Sequence, residues 1–218
     1  MNEILPQAMT MLMEGQSEEA AKQLLVGYHE HCESLEVTQQ EIDDCLQSQD
    51  PVSFRVPAIS LQGAFDIQME YVSNGTEFRL FDAVFVVEGF PRTCPLTKVV
   101  SSACIMYNLG VIFHLCGAFP CDEKELSKAY FMYSKAAEML GRYHLGGYHL
   151  EELEMALYCN MGHLYSYTLD EKGMNECRRE IRKQLESADA RLVDPATFQF
   201  FRDMLGMPTG SFNQAPAA

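Results

Sequence analysis

Positive charge is what this chain has least of. Its 218 residues carry 16 Lys and Arg against 31 Asp and Glu, a formal net charge of −15. Nucleic-acid binders neutralise phosphates with clustered cations, so DNA and RNA are disfavoured as main partners. Proline is sparse too, with 9 residues, and charged residues make up 22% against 47% hydrophobic. That balance argues against a disordered chain and suits one domain, or two small ones, with a substantial core. Catalytic signatures are missing: there is no G-x-S-x-G, no G-x-x-x-x-G-K-[ST] and no G-x-G-x-x-G. Nor is there an H-E-x-x-H or a paired C-x-x-C of the kind that builds zinc sites. The first 13 residues hold Asn2, Glu3 and Pro6 and lack the basic start and apolar run of a signal peptide.

What charge there is lies unevenly. Residues 1–50 hold eleven carboxylates and one cation, Lys22, while residues 170–202 hold seven of each sign. The mixed C-terminal charges read as a solvated helix face with i,i+3 and i,i+4 pairs. Eight cysteines stand at 32, 45, 94, 104, 116, 121, 159 and 177. In a chain neither short nor secreted they are expected to be reduced thiols serving as small hydrophobes. With acidity and no targeting segment, this suggests an intracellular, cytoplasmic protein, with the nucleus left open.

Hydrophobic periodicity divides the chain into three regions. Residues 1–49 read as N-terminal helices: Ile4, Leu5, Ala8, Met9 and Leu12 recur at helical spacing, Gly15 stops the first helix, and Ser17 is expected to cap the second. A further helical stretch is expected around 38–47. Residues 50–95 are punctuated by Pro51, Pro57, Pro91 and Pro95, and β-branched and aromatic residues gather in 52–61, 65–72 and 77–87. Ser73-Asn74-Gly75 is a hairpin signal, so a small β-hairpin insert is predicted around residues 52–87. Residues 96–204 return to the helical period. Asp122 and Glu125 resemble a capping box, Asp170 opens a helix from 171, and Asp194-Pro195 starts a last helix with Phe198, Phe200 and Phe201. A single domain over 1–204 with a flexible tail at 205–218 follows.

The run Val99–Cys121 has 23 residues without Asp, Glu, Lys or Arg, long enough to span a bilayer. It also holds Ser101, Ser102, Asn108 and His114, and no basic cluster flanks it. A helix sandwiched in a soluble bundle is equally apolar all round, and that reading is preferred over a membrane anchor through 99–121.

One internal similarity stands out. Asn108-Leu109-Gly110-x-x-Phe113 and Asn160-Met161-Gly162-x-x-Tyr165 match class by class, 52 residues apart, and the first is followed by Ala129-x-x-x-Tyr133-x-x-Ala136. This pattern resembles the tetratricopeptide repeat, with Met106 and Tyr158 where that family carries a Trp. The combination of a β-rich insert, the two motifs and a Phe-rich end is also similar to a group of uncharacterised algal tetratricopeptide-like proteins. The resemblance implies a mainly α, right-handed solenoid of helical hairpins, in which Gly110 and Gly162 admit close helix packing. It further implies a concave groove for a peptide or helix, lined by Tyr107, Asn108, Val111, His114 and Leu115, and by Cys159, Asn160, His163, Ser166 and Tyr167. Asn108 and Asn160 echo an asparagine with which some members hold an extended peptide. The Lys and Arg of a carboxylate clamp are missing between Val99 and Cys121. Whether the groove is open, or filled by residues 50–95, is left undecided.

Other candidate sites have plain alternatives. His29, His31 and Cys32 are possible ligands, but the two histidines face different sides of a helix. Cys159 and His163 share a face, and Cys116 and Cys121 are nearby in sequence, yet no four-ligand spacing results. No metal and no cofactor are expected, and no cysteine or serine is placed against a base by spacing. The expected function is a non-enzymatic interaction adaptor for an unknown protein or peptide, with the acidity favouring a basic one, without nucleic acid or membrane. An enzyme with a His/Cys-lined pocket, or the membrane anchor, is the alternative.

Overall fold

A computed structural model describes residues 4–32, 35–48, 56–61, 78–88, 94–118, 121–143, 145, 150–188 and 193–207. The described residues form eight α-helices and a two-stranded antiparallel sheet. The helices are α1 (Ile4–Met13), α2 (Ser17–Gly27), α3 (Gln39–Ser48), α4 (Pro95–Ala118), α5 (Glu123–Arg142), α6 (Glu151–Tyr167), α7 (Glu171–Ser187) and α8 (Pro195–Met204). A π-helical turn, Tyr28–Cys32, extends α2.

Local chemistry accounts for most boundaries. Gly15, at φ 76°, ends α1, and the Gln16 N–H reaches back to the Met11 carbonyl (2.8 Å), a glycine-dependent C-terminal stop. The cap of α2 is Gln16, whose side chain makes no capping bond; Ser17 is already the first helical residue. Thr38 and Glu41 form a reciprocal capping box on α3: the Thr38 N–H donates to the Glu41 carboxylate (2.8 Å) and the Glu41 N–H donates to Thr38 Oγ1 (3.2 Å). Asp122 caps α5 by accepting from Lys124 N–H (2.9 Å), while Glu125 pairs with Lys128 (2.6 Å) and does not close a box. Asp170 and Asp194 accept from Gly173 and Thr197 N–H groups at 3.0 and 2.8 Å, and Pro195 sits in the first turn of α8.

Packing follows chain order. α1 lies on α2, α4 on α5 and α6 on α7; α2 also meets α4, α5 meets α6, and α4 meets α6. α8 lies on both α6 and α7. The long helix α4 is the centre: 89% of its most apolar 18-residue stretch is buried inside the fold, with α2, α3, α5 and β2 against it. It is also the one helix among the described residues with the length and composition to cross a membrane. Its serines and asparagine are buried with it.

Strands β1 (Ala58–Ser60) and β2 (Ala83–Phe85) pair antiparallel, with Ala58 opposite Phe85 and Ser60 opposite Ala83. Phe78–Val86, whose pattern also suits a helix, is not helical; the Ser73-Asn74-Gly75 turn and the 65–72 run lie outside the described residues. So does the expected tail from residue 208 on. The reduced-thiol expectation needs one correction. Cys94, just before α4, is disulfide-bonded, whereas Cys32, Cys104, Cys116, Cys121, Cys159 and Cys177 are free. Cysteine usage therefore no longer argues for a reducing compartment.

Candidate functional site: a helix face filled by an extended strap

Residues 78–88 cross the face of α4 and α6 as an extended strap. Its hydrogen-bonding edges are divided. Toward β1, the Asp82 carbonyl accepts from Leu61 N–H (2.9 Å) and the Val86 N–H donates to the Pro57 carbonyl (3.3 Å). Because peptide groups alternate along a strand, the odd residues 81, 83 and 85 then point the other way, toward the helices.

Two asparagines meet that second edge. Asn108, on α4, accepts from the Phe85 N–H (2.9 Å) and donates to the Phe85 carbonyl (2.9 Å). Asn160, on α6, accepts from the Phe81 N–H (2.8 Å) and donates to the Phe81 carbonyl (3.1 Å). Each carboxamide thus does for one strap residue what a neighbouring strand would do. Four residues of extended chain span about 13 Å, so the pair grips the strap at two separated points. Both asparagines are fully buried. Left unpaired, the backbone groups they satisfy would each cost about 1–3 kcal/mol.

Aromatic seats flank the clamps. Phe85 packs edge-on to Tyr107 (5.1 Å between centroids), and Phe81 lies against Phe200 and Phe201 of α8 (5.4 and 5.1 Å). Phe78 covers Gly162, where any Cβ would collide with its ring, and Arg178 of α7 lies 5.3 Å from the ring centroid. Cys159 donates to the Arg79 carbonyl (3.0 Å) and lies 3.3 Å from Met204 Sδ.

From Asn160 a hydrogen-bonded chain runs outward. Its Nδ2 also contacts the Tyr107 and Tyr133 hydroxyls (3.1 and 3.2 Å), and Tyr107 donates to the Phe81 carbonyl (3.4 Å). Tyr133 meets His114 Nδ1 (3.4 Å), and His114 Nε2 meets His163 Nδ1 (2.9 Å). The half-buried His163 sits edge-on to Tyr167, which is 39% exposed. Burial dominates the electrostatics. It pushes the Tyr107 and Tyr133 hydroxyls well above their ordinary pKa, and His114 well below, with His163 adding to the last shift. Burial also pulls His163 down to about 4. At neutral pH the chain is therefore uncharged, with both imidazoles neutral.

Of the residues singled out as groove lining, Tyr107, Asn108, Val111, His114, Cys159 and Asn160 are fully buried and Leu115 nearly so. The structure joins Tyr107, Asn108, His114, Cys159, Asn160 and His163 to the strap or to its hydrogen-bonded chain. Leu109, Ala129, Tyr133 and Ala136 are also buried; Phe113, Met161 and Tyr165 are partly so. Gly110 lies beneath the Tyr133 ring, where a Cβ would come within 2.5 Å. At Gly162 the three atoms nearest to an added Cβ all belong to the strap's Phe78 ring.

Sequence reasoning missed Phe78, Phe81 and Phe85 as the occupants and Phe200 and Phe201 as the seat of Phe81. Phe81 and Phe85 four apart in a β-type run was an available signal, but nothing in it names the helices it lies on. His29 stacks edge-on with Tyr28 (5.5 Å), His31 Nε2 is 3.7 Å from Glu30, and the Cys32 thiol is 3.8 Å from the Ser102 carbonyl. No group of three His, Cys, Asp or Glu converges for a metal among the described residues. No family model, curated protein or solved structure matches this chain.

Proposed function

We propose that this protein is a non-enzymatic interaction adaptor whose α4–α6 face receives an extended polypeptide segment, the chain's own strap being the resident one. The carrying observation is the pair of asparagines, 52 residues apart, that grip the backbone of Phe81 and Phe85. Backbone capture combined with pockets for alternate side chains is how strand-addition modules recognise peptides. The chain-order packing of α1 on α2, α4 on α5 and α6 on α7 supports a tetratricopeptide-like stack of hairpins, each burying a face that it cannot cover alone. A net charge of −15 favours a basic partner at long range and disfavours nucleic acid. The burial of α4 supports a core role over a membrane anchor. An enzyme reading draws less support, because the candidate thiol Cys159 and the His114–His163 pair are engaged in internal hydrogen bonds.

The test is a display of random peptides screened against the full chain with its strap weakened by Phe81→Ser. The reading expects enriched peptides that compete with one another and lose binding when Asn108→Ala or Asn160→Ala is added. Enrichment insensitive to both asparagines, or none at all, would contradict it.

A further inference from the structure

We propose that the α4–α6 face selects, in trans, an extended segment of a partner protein with aromatic residues at the spacing of Phe78, Phe81 and Phe85, which takes the strap's place. The inference rests on the adaptor reading and adds to it the class of segment bound.

Its two ingredients are separable. The asparagine clamps are blind to side chains, since each pairs only with an N–H and a carbonyl; at positions 81 and 85 any residue but proline satisfies them. Selectivity must come from the seats. One is the bare backbone of Gly162 beneath Phe78, completed by Arg178. The second is the Phe200–Phe201 pair around Phe81, and the third is the Tyr107 ring, steeply inclined to Phe85. These seats lie on different helices, and together they fix the intervals three and four.

A foreign segment with the same intervals, and with apolar residues where the strap buries Leu80, Ala83 and Val84, makes the same contacts, so exchange leaves the contact energy nearly unchanged. What opposes it is tethering: a covalently attached strap competes at an effective concentration of about millimolar. Association entropy adds to that cost. The intact chain therefore resists free peptide, and weakening the strap uncovers binding. Among the described residues, backbone pairing of the strap with the β1 segment spans the stretch opposite 57–61, which an incoming segment would have to rebuild.

The probe is a fluorescein-labelled peptide of residues 78–88 with solubilising lysines, titrated by anisotropy against the full chain carrying Phe81→Ser. Binding is expected to be at least about tenfold tighter than for a control peptide with its aromatics shifted by one position, and at least about tenfold tighter than to the unaltered chain. Equal binding of the shifted peptide would overturn the spacing claim while leaving the adaptor reading intact. A folded variant that binds neither peptide would overturn both. Should Phe81→Ser unfold the protein, excess peptide is expected to restore its helical circular dichroism by mass action. Failure to do so overturns the proposal. Light scattering of the unaltered chain provides a separate check: a dimer that dissociates on addition of the 78–88 peptide would assign the incoming segment to a second copy and overturn a separate partner.

Discussion

The α4/α5 and α6/α7 pairs place glycine and aromatic on opposite helices. In the first, Gly110 on α4 lies under Tyr133 of α5; in the second, Tyr165 on α6 lies over Gly173 of α7, 2.8 Å from where a Cβ would stand. Close approach needs a bare backbone opposite a flat ring, and either helix of a pair can supply it. The consequence is functional. Gly173 serves the α6/α7 contact and Gly162 seats Phe78 of the strap, so the nearest ring to the repeated motif's glycine comes from a helix in α4 and from the strap in α6. Only the asparagine keeps its role in both.

The sharpest way to break this comparison is to enlarge both motif glycines. Gly110→Leu drives a branched side chain into a fully buried ring between two helices, and a loss above about 3 kcal/mol is expected in urea unfolding. Gly162→Ala is expected to cost less, about 1–2 kcal/mol, because the strap can lift while α6 and α7 stay packed. Hydrogen exchange would then quicken at Phe81 and Phe85 but not along α7. If Gly162→Ala instead loosened α7, the two motifs would share one role after all.

The clamps differ too. Asn160 contacts two buried tyrosine hydroxyls as well as the strap, whereas the bonds shown for Asn108 go to Phe85 alone. Asn160→Ala should accordingly lose about 4 kcal/mol and Asn108→Ala about 3 kcal/mol, measured by denaturant midpoint and slope. Equal losses would mean that the tyrosine contacts add nothing.

Acid probes the outer end of the same chain. His163 is held neutral by burial with a pKa of about 4, below the ordinary 6.5, and His114 is shifted in the same direction. The unfolded chain takes up protons that the folded one refuses, so stability is complete above about pH 6.5 and falls as pH drops toward 4. His163 alone accounts for roughly 3 kcal/mol of that fall. His163→Gln should flatten this part of the stability curve; an unchanged slope would place the protonation elsewhere.

The smallest effect lies outside both contacts. Gly141, in the last turn of α5, has nothing within 4 Å of where an added methyl group would stand, so Gly141→Ala should stabilise by about 0.5–1 kcal/mol. A thermal melt that shifts downward would contradict the contrast with Gly110.

Much of this architecture is legible in the sequence. Periodicity locates most helices because each buries one stripe, α4 being instead apolar and buried nearly all round, and Asp122, Asp170 and Asp194 mark starts since their carboxylates satisfy free N–H groups. The matching motifs lead to Asn108 and Asn160. Illegible is the occupant, because its fit depends on Phe78, Phe81 and Phe85 reaching residues as far away as Phe201. Local pattern carries no record of such pairings. The role of Gly162 is hidden for the same reason: a bare backbone announces close approach without saying to what.

Everything functional rests on the strap backbone being gripped at two points by the α4–α6 face. Amide hydrogen exchange at Phe81 and Phe85 in the unaltered chain tests that grip most directly. Protection well above that of a free peptide, yet shallower than that of core amides in α4, lost at Phe85 in Asn108→Ala and at Phe81 in Asn160→Ala, is the predicted result. Exchange at either amide as fast as in a free peptide, with α4 still protected, would contradict it.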